Sequence, residues 1–218
     1  GILKVHWPIP PFVAIPTTAG AGSETTVAAV ITDSATHRKA AINDPFLIPK
    51  YAVLDPELTK GLPPYTTATT GMDALSHAIE AYVGLGANPI TDALAKEAIS
   101  LISRSLWKAC ANGKNLQARQ DMALGSVLAG IAMDQAGLGL VHTLSSPLCA
   151  FFHMAHGEAN AAILKYCMRY NLMAAPERYA EIARLMGEDT FGMTTFEAAE
   201  ASVKAVERLF DETGVHVP

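Results

Sequence analysis

Charge is scarce in this sequence, and basic charge is scarcer. Asp, Glu, Lys and Arg make up only 17% of the residues, acidic ones outnumber basic ones by 21 to 16, and no basic cluster is longer than Arg38-Lys39. A nucleic-acid partner needs a basic face to neutralise phosphates, so the net charge of -5 argues against one. Long apolar runs are also missing: none reaches the roughly 18 residues that suggest a membrane-spanning helix, and no membrane partner is expected. The opening Gly1-Ile2-Leu3-Lys4-Val5-His6-Trp7-Pro8 reads as neither a signal nor a transit peptide. Cysteine is limited to Cys110, Cys149 and Cys167, an odd count without metal-ligand spacing. That predicts reduced, mostly buried thiols and a cytoplasmic protein. There is no G-x-G-x-x-G motif, no internal repeat and no low-complexity segment.

What is present is apolar residue, half of the 218 positions, enough for a large buried core in one large domain or two small ones. The first third is rich in Pro, Gly and Thr. It reads as a buried strand over Pro11–Ile15, a second over Val27–Thr32 and a third over Tyr51–Leu54. From about Tyr65 the apolar residues recur at helical spacing, and Ala, Leu, Met and Glu dominate. The pattern predicts helices near 66–83, 91–109, 116–135, 139–151, 158–173, 177–187 and 195–212, separated by Gly, Asn-Gly and Pro stop signals. The fold class is α/β followed by an all-helical domain, with the division expected between residues 1–62 and 63–218.

Chemistry concentrates in the helical part. Asp73 and His77 are four apart, so on a helix they share a face. Their neighbours Met72, Leu75, Ala78 and Ile79 are apolar, and burying an unpaired Asp and His is costly unless a cation is shared between them. A surface Asp–His pair is the alternative reading. His142, His153 and His156 fall within fifteen positions, with Val141, Leu144, Leu148, Phe151 and Phe152 expected to give His142 a hydrophobic setting. His156 precedes Gly157 and is expected at a turn and helix start. Asp73, His77, His142 and His156 together suit Fe(II) or Zn(II), although each histidine alone reads as a core or capping residue. His153 is left out, because Gly157 is expected to open the next helix and splay the pair. His6, His37 and His216 read as surface residues. The Thr17-Thr18-Ala19-Gly20-Ala21-Gly22-Ser23-Glu24 stretch could hold phosphate, ribose or nicotinamide, or be an ordinary glycine-rich turn.

Three blocks together resemble the iron-containing (group III) alcohol dehydrogenase family, from about residue 11 onward. They are Pro11 through Glu24; Ala52-Val53-Leu54-Asp55-Pro56 through Leu62-Pro63-Pro64 to Gly71-Met72-Asp73-Ala74-Leu75-Ser76-His77-Ala78-Ile79-Glu80-Ala81-Tyr82; and Gly139-Leu140-Val141-His142 through Pro147-Leu148 to His156-Gly157-Glu158-Ala159-Asn160-Ala161. The resemblance implies that Asp73, His77, His142 and His156 bind Fe(II), with Zn(II) possible. It implies that Thr17 and Thr18 line the cofactor cleft and that Lys39 reaches the ribose of NAD or NADP. It further implies a dinucleotide-binding α/β layer packed on a helical metal-binding domain, the dehydroquinate synthase-like fold. The expected reaction is hydride transfer between a small alcohol or aldehyde and the nicotinamide, in a homo-oligomer.

The sequence departs from that pattern in places. The family's glycine-rich phosphate loop precedes the first block and has no counterpart here, so the pyrophosphate part of the cofactor site is expected to be absent. The helical domain is expected to be truncated at its C-terminus. Some members carry a second histidine four residues after the one matching His142; here that position is Ser146, which titrates too far from neutrality for acid–base work. Cys149 stands where Gly or Ala is common and reads as packing. Two other readings compete: a metal-dependent lyase or hydrolase on the same scaffold, with Lys39 alone to hold a phosphate, and a non-catalytic binding module.

Overall fold

The structure is a computed structural model that describes residues 9–32 and 39–214. Among the described residues the strands all precede residue 53 and the α-helices all follow residue 63. β1 (Val13–Ala14) pairs in parallel with β4 (Tyr51–Ala52), and β2 (Ala28–Thr32) pairs antiparallel with β3 (Lys39–Asn43). Two of the expected strands are only two residues long, and the one expected to be buried is not: Val13 and Ile15 are about half exposed. A parallel two-residue pair offers a single backbone partner and no second sheet or helix face to cover it. β3 was not anticipated. Lys39-Ala40-Ala41-Ile42-Asn43 is a weak strand former, and pairing with the Val-Ile run of β2 supplies what local propensity does not.

Among the described residues seven α-helices follow: α1 (Pro64–Val83), α2 (Pro89–Ala111), α3 (Leu116–Ala136), α4 (Leu140–Phe152), α5 (His156–Asn171), α6 (Pro176–Leu185) and α7 (Thr195–Glu212). All lie within two residues of their expected bounds. The punctuation explains this. Pro64, Pro89 and Pro176 each open a helix, where the missing N–H costs nothing. Asn88 with Thr91, and Thr194 with Glu197, form reciprocal capping boxes. At the far ends Gly137 and Gly187 take positive φ.

α1 is the axis of the molecule. A helix apolar on every side belongs in the interior, and α1 is buried at every position from Gly71 to Tyr82. Met72, Leu75 and Ile79 share one cluster with Ile99 and Ile102 of α2, Met122 of α3, Leu164 and Met168 of α5, and Tyr179 and Ile182 of α6. The glycine-rich turn docks on the same helices. Gly22 has φ +63°, and a Cβ there would lie 2.7 Å from Gly130 Cα on α3. A Cβ on Gly20 would lie 2.7 Å from Thr70 Cβ on α1. Asp134 of α3 then accepts the Val27 N–H at 3.0 Å, which fixes the start of β2. Among the described residues no single helix is long and apolar enough to cross a membrane.

Candidate metal centre

α1 contributes Asp73 and His77 one turn apart, both buried. α4 brings His142 in its first turn, and His156 is the first residue of α5. His156 reaches α1 because Gly157 seats α5 against the backbone there: a Cβ on Gly157 would lie 2.5 Å from the Thr69 carbonyl oxygen. The result is convergence on one carboxylate oxygen. Asp73 Oδ1 stands 3.7 Å from His77 Nε2, 3.6 Å from His142 Nε2 and 3.8 Å from His156 Nε2. His77 and His142 stack with ring centroids 4.6 Å apart, and His156 tilts against His142 at 5.3 Å.

These separations fit a metal. Four ligands at the tetrahedral corners of a site with bonds of about 2.0–2.2 Å are about 3.4 Å from one another. Asp73, His77 and His142 offer ligand atoms all within 4.8 Å of one another. The atoms already aim at an electropositive group: Asn160 Nδ2 lies 2.6 Å from Asp73 Oδ1, 3.0 Å from His142 Nε2 and 3.2 Å from His156 Nε2. Two buried polar atoms at the centre, His77 Nδ1 and Asn160 Oδ1, have no hydrogen-bond partner. Buried groups of this kind are uncommon in native proteins outside functional sites. The pocket is closed on the α1 side and open at His156, whose side chain is 45% exposed.

Electrostatics favours the ligand forms. Burial pushes the Asp73 carboxyl up, but the attraction of His77, His142 and His156 and the Asn160 amide outweigh it and hold the group below the usual carboxylate range. Burial pushes His77 down to about 4 against the attraction of Asp73, which favours the unprotonated ring. Burial also works against charge on His142, but the Asp73 and Glu80 carboxylates beside it prevail and raise it to about 9. A divalent cation competes with that proton for the same ring.

The four side chains singled out from spacing thus come together. Other expectations need correction. The hydrophobic setting expected for His142 is not there: Leu144, Phe151 and Phe152 are exposed, and only Val141 among the large neighbours is buried. α4 turns its other face outward, so His142 sits among Asp73, His77, Glu80 and Asn160 instead. His153 ends α4 with φ +54° and is exposed on the turn before α5, the splaying expected of it. Thr17 is exposed and Thr18 partly so, on the segment leading to Gly20. Gly20 rests on Thr70 while Gly157 rests on Thr69, so the turn and the His156 end of α5 meet α1 at adjacent residues. Lys39 begins β3, but its side chain lies outside the described residues, as do His6, His37 and His216.

Two residues of the centre escaped the sequence reading. Glu80 is buried beside His142, and Asn160 is wholly buried against three of the four side chains. Both had a spacing signal: Glu80 is three residues after His77, and Asn160 four after His156, each on the same helix face. Ser146 is exposed, and its hydroxyl donates back to the His142 carbonyl at 2.9 Å. A hydroxyl satisfied within its own helix contributes about one hydrogen bond. Ser146→Ala is therefore expected to change the Zn(II) affinity of the chain, read by chelator competition, by less than about tenfold. A thousandfold loss would give Ser146 a direct place in the centre.

Comparison with known proteins agrees with this geometry. Residues 67–217 match the model of the Fe-containing alcohol dehydrogenase family, C-terminal, and residues 3–56 match that of iron-containing alcohol dehydrogenase. The 1,3-propanediol dehydrogenase of Klebsiella pneumoniae is 47% identical over 215 residues, covering 99% of this chain and 56% of that protein. The NAD-dependent methanol dehydrogenase of Bacillus methanolicus is 46% identical with the same coverage. The crystal structure of a 1,3-propanediol oxidoreductase superimposes with a TM-score of 0.96 at 47% identity, over 100% of this chain and 56% of that one. The chain belongs to the iron-containing alcohol dehydrogenase family and has its fold. It spans about half the length of the curated relatives it matches.

Proposed function

We propose that this chain forms the metal-binding and catalytic half of an NAD-linked dehydrogenase that interconverts a small alcohol and its aldehyde. The observation behind this reading is the convergence of three imidazole Nε2 atoms on Asp73 Oδ1 at 3.6–3.8 Å. Asp73, His77, His142 and His156 would hold one divalent ion, Fe(II) by family and Zn(II) as the alternative the same ligand chemistry accepts. Bound there, the ion supplies Lewis acidity toward the alcohol oxygen, and the nicotinamide supplies the redox chemistry.

The chain's own residues do the rest. The Asp73 carboxylate offsets part of the ion's charge, while Glu80 and Asn160 hold His142 and Asp73 in place. The exposed edge of His156 is the side from which a substrate can approach. The buried α1 side would keep water from the inner face of the site. Thr17 and Thr18 lie on the turn next to that edge and would line the cofactor cleft, with Lys39 toward the ribose and NAD preferred to NADP. The matched relatives are oxidoreductases by name, which favours this reading over a lyase. A division near residue 62 is supported by strands before it, helices after it and separate family models for 3–56 and 67–217. A cytoplasmic homo-oligomer fits three buried cysteines and an exposed apolar surface that includes Tyr166, Tyr170 and Met173.

The test is the relative affinity of this 218-residue chain for metal and for cofactor. All four proposed ligands are present, whereas the glycine-rich loop whose N–H groups would take the pyrophosphate is not in the sequence. Half a cofactor site should lose several kcal/mol, weakening NAD by a few orders of magnitude. Calorimetry is expected to show Zn(II) uptake with little NAD binding. Micromolar NAD affinity would show that the cofactor site is misplaced, and failure to bind Zn(II) would refute the metal reading.

A further inference from the structure

We infer that Glu80 is the positioning residue of the centre: its carboxylate fixes the His142 ring in one tautomer, with Nε2 turned toward Asp73. This rests on the metal-site reading and adds to it a residue two turns along α1 from Asp73. Glu80 is buried, and both of its oxygens are engaged. Oε2 lies 2.6 Å from His142 Nδ1, and Oε1 accepts the Val141 N–H at 2.6 Å. Space for the carboxylate comes from Gly139, where a Cβ would stand 2.9 Å from Oε1.

An ionised carboxylate can only accept hydrogen bonds, so the proton of the neutral ring must sit on Nδ1. Nε2 then carries the lone pair; it accepts from the Asn160 amide at 3.0 Å and stands 3.6 Å from Asp73 Oδ1. A carboxylate behind a ligating histidine also raises the basicity of the ring. The Val141 bond ties the start of α4 to α1, where α4 has no side-chain cap of its own. Glu80 therefore sets both where the ring stands and which nitrogen it presents.

A residue that served only as a helix cap would behave differently on substitution, and Gln separates the two roles. In Glu80→Gln the amide oxygen can still accept from Val141, so a cap survives. Its NH2 then faces His142 Nδ1 and donates to it. That moves the ring proton to Nε2, the atom needed for metal. If the amide turns the other way, its NH2 meets the Val141 N–H, donor against donor. Glu80→Asp keeps the charge but is one methylene too short to reach both partners.

The experiment measures the Zn(II) affinity of the chain by competition with a chelator, and the visible absorption of the Co(II) form. Both Glu80→Gln and Glu80→Asp are expected to weaken Zn(II) by about 10–100-fold and to change the Co(II) spectrum, which reports ligand geometry. Wild-type affinity and spectrum in Glu80→Gln would reduce Glu80 to a cap and overturn the inference. Wild-type behaviour in Glu80→Asp would mean that a nearby negative charge suffices, and would overturn it equally. If the unsubstituted chain takes up neither ion, the metal reading itself fails and the inference goes with it.

Discussion

Replacing His77 with Ala should leave the chain folded and abolish its tight uptake of divalent metal. The fold should survive because two local effects oppose each other. Removing a buried imidazole leaves a cavity, which costs about 2–3 kcal/mol in a well-packed core. It also removes Nδ1, a buried polar atom with no partner, and relieving such a group returns about 1–3 kcal/mol. Asp73 keeps His142, His156 and Asn160 around it. The melting temperature without metal should therefore move by only a few degrees, since about 1 kcal/mol corresponds to roughly 2–4 °C in a chain of this size. Metal binding is another matter. Losing one of the four proposed ligands should weaken affinity by about a thousandfold, or ~4 kcal/mol. A metal at about a thousand times its Kd stabilises the native state by about 4 kcal/mol, so the stabilisation seen with the native chain should largely vanish. Thermal melts with and without Zn(II) read both quantities at once. An unchanged metal-induced shift in His77→Ala would remove His77 from the ligand set.

Why α1 and its surroundings were legible, and the strands less so, follows from what each relies on. Helix bounds were marked by local chemistry: Pro at the first position, Asn or Thr caps, and Gly at positive φ are all visible residue by residue. Asp73 and His77 declared themselves because an ionisable pair at helical spacing stood in an apolar run. β3 depends on its partner. Nothing in Lys39-Ala40-Ala41-Ile42-Asn43 favours a strand until β2 lies beside it. β1 looked buried because Phe12, Val13 and Ile15 are apolar, yet burial is a property of what lies opposite, and all three are exposed. The setting of His142 failed for the same reason. Apolar neighbours in sequence occupy other faces of α4, and the ring meets residues 62 and 69 positions away, Glu80 and Asp73. Glu80 and Asn160 were visible as residues but not as partners. Their roles exist only once three helices converge.

Arg119→Ala should do the reverse of His77→Ala, unfolding the chain more readily while sparing the proposed metal ligands. Arg119 is on α3, wholly buried, and its guanidinium meets neutral acceptors only. Nη1 donates to Thr67 Oγ1 at 2.8 Å, Nε to the Gly113 carbonyl at 3.1 Å and Nη2 to the Leu62 carbonyl at 3.4 Å. One side chain thus joins the first turn of α1, the loop between α2 and α3, and the segment that leads into α1. Truncation leaves three acceptors and a cavity in the interior, at about 1–3 kcal/mol for each buried group left unpaired. Part of this is offset, because the charged guanidinium no longer has to be kept from water. Ala is also the best helix former, so α3 itself loses nothing. The net expectation is a loss of about 3 kcal/mol, or roughly 6–12 °C in melting temperature. Arg119→Lys, a single point charge in place of a planar fork, should fall between. The Zn(II) affinity of the folded fraction should stay within about threefold of the native value, because none of the three acceptors touches Asp73, His77, His142 or His156 and independent sites add. Denaturant melts paired with chelator competition would show it. A large fall in affinity with unchanged stability would mean that Arg119 sets the register of α1 at the metal centre rather than its anchorage at the start.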